Sequence, residues 1–98
     1  MSNCFKSLKL NPNHAMTHYV LGNALNGLGK KEEAIESYRK AIKIDPNYVD
    51  AYNGLGNALD DIGKKEEAIE SYRKAIKIDP NYKLAYNGLG NALNDIGK

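Results

Sequence analysis

The sequence has few of the features that most functional classes require. It contains a single cysteine, Cys4, and a formal net charge of only +2 over 98 residues. One cysteine excludes an internal disulfide and fits a reducing compartment, so a cytoplasmic location is expected. The lysines and arginines are interleaved with glutamates and form no basic block, so no nucleic-acid partner is expected.

Membrane and secretory signals are also missing. No apolar run approaches the length of a membrane span. Residues 1–13 contain no apolar core followed by a cleavage site, so no signal peptide is predicted. The sequence therefore predicts neither a membrane partner nor an exported protein.

Residues that could form a catalytic, metal or nucleotide site lack the partners or the sequence context that such a site requires. His14 and His18 are four residues apart, but His14 falls in a predicted turn, and no acidic or cysteine ligand completes a set. Ser37 and Ser71 have no base nearby. The glycines of residues 54–56 follow no strand, as a nucleotide loop would require. The sequence therefore predicts no enzyme, no metal site and no cofactor.

A repeat is the dominant feature of the chain. The segment GKKEEAIESYRKAIKIDPNY occurs twice without a change, at residues 29–48 and 63–82. Pro12, Pro46 and Pro80 recur every 34 residues. A fixed period of this size is typical of repeat proteins that stack one unit on the next.

Each period contains two helical patterns separated by a glycine. Apolar residues at spacings of three and four define a first helix (Tyr52, Leu55, Leu59, Ile62) and a second helix (Ala68, Ile69, Tyr72, Ala75, Ile76). Gly63 separates them, because glycine readily adopts the left-handed conformation that closes a helix. Gly22, Gly56 and Gly90 recur inside the first helix despite their cost there, which predicts a close packing contact.

These residues resemble the tetratricopeptide repeat family. The resemblance lies in Tyr52, Leu55, Gly56, Leu59, Ala68, Tyr72, Ala75 and Pro80, and in His18, Leu21, Gly22, Leu25, Ala34, Tyr38, Ala41 and Pro46 of the preceding copy. His18 departs from the usual aromatic residue. The resemblance implies an all-α, right-handed superhelical solenoid of antiparallel helix pairs, with about six helices, that acts as a non-catalytic protein-binding module.

The period divides the chain into a single domain of four pieces. Residues 1–14 form a half repeat, residues 15–48 and 49–82 form complete repeats, and residues 83–98 form a second half repeat. A piece of a longer array, a recent gene duplication and a sequence designed near a consensus are all compatible with this layout.

The resemblance implies that the first helices line a concave groove. Polar residues follow that face at spacings of three and four, and we expect them to hold an extended, preferably basic, peptide. The predicted peptide-binding residues are Tyr19, Asn23, Asn26, Asp50, Asn53, Asn57, Asp60, Asn87, Asn91 and Asn94. Relatives that bind C-terminal carboxylates use lysine and arginine on this face, whereas this chain has asparagine and aspartate.

Self-assembly is the alternative function. The chain begins on a second-type helix and ends on a first-type helix, so two molecules are complementary end to end and could form dimers or filaments. The predicted self-association residues are Phe5, Leu8, Leu10, Leu89, Leu93 and Ile96. A homo-oligomer is expected under this alternative.

Overall fold

Five α helices account for the fold of residues 12–97, the part of the chain that the computed structural model describes. They are α1 (Pro12–Gly27), α2 (Lys31–Ile44), α3 (Val49–Asp61), α4 (Lys65–Ile78) and α5 (Lys83–Asp95). The all-helical prediction is confirmed. The sixth helix, predicted before Pro12, falls outside the described residues. His14, predicted to lie in a turn, lies instead in the first turn of α1.

Glycine closes each first-type helix, as the sequence predicts. Gly29 and Gly63 follow α1 and α3 with φ of 86° and 88°. The N–H of Lys64, just after Gly63, donates to the carbonyl oxygen of Leu59 at 2.9 Å. This bond satisfies a carbonyl at the helix end, and it requires the left-handed backbone that glycine supplies at the preceding position. The chain therefore reverses sharply into α2 and into α4.

A tyrosine ring between two glycines joins successive repeats. A Cβ atom built on Gly22 or on Gly54 would lie 2.7 Å from Cε1 of Tyr38. Tyr72 lies in the same way between Gly56 and Gly88, at 2.7 Å and 2.5 Å. The packing role predicted for the recurring glycines is therefore confirmed at Gly22 and Gly56, and their close neighbour is a tyrosine ring.

The first-type helices line one side of the solenoid and the second-type helices the other. The backbone of α1 contacts that of α3, and α3 contacts α5, whereas the backbones of α2 and α4 do not meet. Elements that converge lie on the inner side of a curved stack. The inner surface is therefore built from α1, α3 and α5.

The apolar core is covered more fully at α3, in the middle of the stack, than at α5. Leu59 of α3 is 2% exposed because α2 and α4 both pack near it. Leu89 and Leu93 of α5, and Ile96 just after it, are only partly buried, and Tyr86 is 48% exposed.

Within residues 12–97, no helix combines the length and the apolar character that crossing a membrane requires.

Candidate functional site

All ten residues predicted to bind peptide lie on α1, α3 and α5, the three helices of the inner surface. They divide by exposure into Asn23, Asn57, Asn87, Asn91 and Asn94, which are exposed, and Tyr19, Asn26, Asp50, Asn53 and Asp60, which are partly buried. We call this set the groove residues. The structure therefore places them on the same three helices, but it gives them different partners.

Two groove asparagines are held by the core tyrosines. The hydroxyl of Tyr38 donates to Oδ1 of Asn23 at 2.5 Å, and that of Tyr72 donates to Oδ1 of Asn57 at 2.6 Å. A carboxamide has one oxygen that accepts and one NH₂ group that donates. Since the oxygen of each side chain accepts from tyrosine, the NH₂ group of the same exposed side chain remains as the donor offered to the groove.

Burial of these tyrosines keeps their hydroxyls protonated and therefore able to donate. The pKa of Tyr38 is raised to about 12, mainly because burial disfavours the phenolate and secondarily because of Tyr19. The ring of Tyr19 lies 6.0 Å from that of Tyr38 and 5.2 Å from that of Tyr48. The groove thus has an aromatic wall at α1, where α3 has Asn53 at the equivalent position.

Asp50 is joined to the next repeat. The hydroxyl of Tyr82, in the turn before α5, donates to the carboxylate of Asp50 at the start of α3. Burial, followed by this hydrogen bond, raises the pKa of Tyr82. The tyrosine therefore stays neutral and remains a hydrogen-bond donor to Asp50 at this edge of the groove.

Lysines at the start of the second-type helices hold two other groove residues. Nζ of Lys31 donates to Oδ1 of Asn26 at 2.7 Å and to the carboxylate of Asp61, in the next repeat, at 2.9 Å. The equivalent Lys65 binds Asp60 at 2.6 Å and Asp95 at 3.0 Å. Each lysine therefore connects its own repeat to the following one, and Lys65 faces two carboxylates with a single positive charge.

Asn53, at the centre of the groove, has an unpaired oxygen. Its Oδ1 atom is buried and has no hydrogen-bond partner within residues 12–97, and the same holds for Nδ1 of His18 on α1. The side chain of Asn53 is nevertheless partly exposed. Unlike Asn57, it is therefore not held by a hydroxyl of the core.

The structure describes three of the six residues predicted for self-association. Phe5, Leu8 and Leu10 lie outside the described residues. Leu89 and Leu93 lie on α5, Ile96 follows its last residue, and all three pack with one side against the core. Their partly buried state leaves part of the same apolar face open next to Tyr86.

Metal chemistry has no basis in the described part of the chain. Among residues 12–97, no three His, Cys, Asp or Glu side chains come together as a possible ligand set. His14 is exposed and His18 is partly buried. The groove contacts described above are hydrogen bonds and ion pairs that join protein groups to one another.

Sequence reasoning missed the residues that hold the groove residues in place. The sequence pattern marks Tyr38 and Tyr72 only as repeat positions of the second helix, and it gives no role to Tyr82, Lys31 or Lys65. One signal was present for four of these residues. Asn23 and Asn57 each precede a tyrosine by 15 residues, and Asn26 and Asp60 each precede a lysine by five. Such a constant offset marks possible contacts, although only the structure shows which of them form.

Three family models match the chain. They are the TPR repeat model at residues 22–63 and two tetratricopeptide repeat models at residues 49–82 and 3–36. Among curated proteins, none matches by sequence.

Solved structures that resemble this chain include other tetratricopeptide repeat proteins. MamA is 36% identical with a TM-score of 0.83, over 89% of this chain and 51% of MamA, so the chain spans about half the length of that protein. The second TPR of Spaghetti (RPAP3), bound to the HSP90 peptide SRMEEVD, is 30% identical with a TM-score of 0.88, over 93% of this chain and 84% of that one. The TPR2B domain of yeast Sti1, in complex with pHsp70, is 26% identical with a TM-score of 0.83, over 85% and 66% of the two chains. The period, the paired helices and these matches together show that the chain belongs to the tetratricopeptide repeat family.

Proposed function

We propose that the chain is a non-catalytic protein-interaction module that holds an extended peptide segment along the groove residues. The observation that carries this proposal is the pair of bonds from Tyr38 to Asn23 and from Tyr72 to Asn57. These bonds fix two exposed carboxamides with their NH₂ groups available. Since every peptide residue has a carbonyl oxygen, such donors bind a backbone without selecting particular side chains.

The charges near the groove favour a basic peptide. Lys65 balances only one of the two carboxylates of Asp60 and Asp95, and Asp50 is bound by a neutral tyrosine. None of the groove residues is a lysine or an arginine. The peptide SRMEEVD bound to the second TPR of Spaghetti is acidic. The carboxylates of this groove should instead favour a ligand of the opposite charge.

Fluorescence anisotropy with two labelled peptides tests the proposal. One probe is SRMEEVD, and the other is SRMKKVK with an amidated C-terminus, which reverses the charge on the same framework. We expect the basic probe to bind more tightly at low ionic strength, with an advantage that shrinks as salt is added. Equal affinities for both probes would contradict the preference for a basic ligand.

Two asparagine variants locate the binding surface. Combining Asn53→Ala with Asn87→Ala removes two groove carboxamides while leaving both tyrosine-bound asparagines intact. The loss of two hydrogen bonds should weaken binding of SRMKKVK roughly tenfold or more. The matched control is Asn47→Ala with Asn81→Ala, the same chemical change in the exposed turns between repeats. If the groove variant binds as tightly as the unaltered chain, the groove assignment is wrong.

A second candidate function is association through α5, which the exposure of Tyr86 favours. Under this proposal the molar mass measured by light scattering behind a sizing column rises with protein concentration. Leu93→Lys should then restore the mass of a monomer, because a charge on this face would have to be buried. A mass of 10.8 kDa that does not change with concentration would remove this candidate.

A further inference from the structure

Tyr19 and Asp50 are groove residues that occur in one repeat only. At the position of Tyr19, the other two first-type helices have asparagine. At the position of Asp50, they have methionine and leucine. Asn57, by contrast, is an asparagine in all three helices. The repeats therefore share a polar framework along the groove, and Tyr19 and Asp50 depart from it.

A second tyrosine lies beside Tyr19, at the junction between the two complete repeats. The ring centres of Tyr19 and Tyr48 are 5.2 Å apart, with an angle of 44° between the ring planes. Asp50 follows Tyr48 by two residues, in the first turn of α3. All three side chains are partly buried. Their exposed surface therefore offers two aromatic rings and a carboxylate at one edge of the groove.

Electrostatic interactions link the carboxylate to both rings. Burial, followed by the nearby Asp50 and Tyr19, raises the pKa of Tyr48. The hydroxyl of Tyr82 donates to Asp50, and Tyr19 contributes to the raised pKa of Tyr82 after burial and Asp50. Such effects weaken with distance, so these groups are close to one another. We call Tyr19, Tyr48 and Asp50 the tyrosine–aspartate cluster.

The next junction along the chain lacks the same combination. One period later, the positions of the cluster are occupied by Asn53, Tyr82 and Leu84. One ring of the two remains there, and the carboxylate is replaced by an apolar side chain. A ligand group that prefers the tyrosine–aspartate cluster would therefore bind at the first junction and fix the register of an extended peptide.

We propose that the tyrosine–aspartate cluster is a subsite for one arginine side chain of the peptide held in the groove. A planar guanidinium stacks on an aromatic face and pairs with a carboxylate through two parallel N–H donors. A lysine ammonium is a compact, more strongly hydrated charge that cannot stack in this way. The inference rests on the proposed function and deepens it, because it names the residue type that anchors the peptide.

A single blocked amino acid tests the subsite without a peptide. The probe is N-acetyl-L-arginine methylamide, titrated into ¹⁵N-labelled protein and followed by NMR, with the lysine derivative in parallel. We expect the amide signals of Tyr19, Tyr48 and Asp50 to shift. The arginine derivative should bind roughly two- to fivefold more tightly than the lysine derivative. Equal affinities, or no shifts at the cluster, would overturn the proposal.

The ring of Tyr19 can be removed by a substitution taken from the other repeats. Tyr19→Asn introduces the residue that α3 and α5 have at the same position, and it should abolish the preference for arginine. Tyr19→Phe keeps the ring and should retain the preference, which separates stacking from a general effect on folding. Tyr86→Asn is the matched control, because this exposed tyrosine of α5 lies outside the cluster. A preference that survives Tyr19→Asn would overturn the proposal.

Asp50→Asn tests the carboxylate. The amide still has an oxygen that accepts from Tyr82, so this contact is kept while the carboxylate is lost. Binding of the arginine derivative should weaken roughly tenfold or more, since a hydrogen bond between charged groups is removed. The matched control is Asp79→Asn, the same change in the turn before α5. Unchanged binding by the Asp50→Asn protein would overturn the proposal.

A peptide with its arginine replaced by lysine connects the subsite to the groove. SKMKKVK has the same charge as SRMKKVK, and it should bind the unaltered chain more weakly. The difference between the two peptides should disappear in the Tyr19→Asn protein. If both peptides bind equally to the unaltered chain, the subsite is wrong and the groove proposal stands. If neither peptide binds, the groove proposal is wrong, and the arginine derivative still decides the subsite.

Discussion

Helices α3 and α5 carry almost the same sequence in two different environments. Both contain the segment AYNGLGNAL, at residues 51–59 and 85–93. In α3, Leu59 is buried to 2% exposure and Gly56 touches a ring, whereas in α5 the equivalent leucine is half-buried and Gly90 has open space. The difference shows that one sequence pattern defines what a helix can bury, while its neighbours decide what it does bury.

The largest effect should come from removing the same leucine from each helix. Leu59→Ala leaves a cavity between α2, α3 and α4 and should lower the free energy of unfolding by about 2–5 kcal/mol. Leu93→Ala should cost clearly less, because water already reaches that side chain. Urea unfolding followed by circular dichroism measures both. Equal losses would mean that α5 is covered in solution, as self-association requires.

Glycine-to-alanine changes should shift the free energy of unfolding in opposite directions in α3 and in α5. Gly56→Ala places a methyl group 2.7 Å from Cε1 of Tyr72, and such overpacking costs about 1–3 kcal/mol. The methyl group of Gly90→Ala would lie more than 4 Å from every packing neighbour among the described residues, so the change should stabilise α5 by up to about 1 kcal/mol. Thermal melts of both variants show the signs directly. A gain in stability for Gly56→Ala would disprove the ring-against-glycine packing.

Removing a tyrosine hydroxyl should matter in one environment only. Tyr72→Phe loses the bond to Asn57 and should cost about 0.5–1.5 kcal/mol. Tyr86→Phe changes an exposed side chain and should shift stability by no more than about 0.5 kcal/mol. Parallel urea titrations of the two variants give the comparison. A similar loss of stability at both positions would contradict the prediction that only the buried hydroxyl of Tyr72 contributes.

The same tyrosine should make stability depend on alkaline pH. Burial raises the pKa of Tyr72 to about 12, whereas in the unfolded chain it is about 10. Between these values the unfolded state releases the proton and the folded state keeps it, so stability falls as pH rises. Below about pH 9 the tyrosine is protonated in both states, so its contribution to the free energy of unfolding does not change with pH. Unfolding measured from pH 8 to pH 11.5 should show a shallower decline for Tyr72→Phe than for the unaltered chain.

The smallest effect should come from the lysine that connects α3 to α5. Hydrogen bonds to Asp60 and Asp95 raise the pKa of Lys65. A raised lysine pKa contributes stability below the unfolded value, and that contribution disappears as pH rises through the folded value. Lys65→Gln should therefore destabilise the protein modestly at neutral pH and less in high salt. Lys31→Gln is the comparison, since Lys31 binds one carboxylate and one amide. A larger salt effect at Lys31 would contradict the contacts described here.

The fold could be predicted because it depends on a pattern that recurs. Leu55, Leu59 and Gly63 indicate a first helix and its end from spacing and backbone preference alone, and the period states how units follow each other. The packing of Gly56 could also be predicted, since an interior glycine lowers helix stability unless it permits a close contact. Its neighbour, Tyr72, could not, because the direction of a side chain across a helix pair depends on packing.

The groove was harder to predict than the fold. Helical spacing placed Asn53, Asn57 and Asp60 on one surface, but spacing carries no information about which polar group pairs with which. Asn57 accepts from a core tyrosine, Asp60 binds a lysine, and the oxygen of Asn53 has no partner in the part of the chain that the structure describes. These outcomes depend on distances of a few tenths of an ångström across helices, which the order of residues along the chain does not specify.

The tyrosine between two glycines also constrains how such a chain can change length during evolution. Tyr38 touches Gly22 of its own repeat and Gly54 of the next, so no repeat contains all of its own packing contacts. Duplication of one whole period adds one ring together with both of its recesses, wherever the copied segment begins. Arrays of this sequence can therefore lengthen by whole periods, and unequal recombination between the identical segments 29–48 and 63–82 produces such a change.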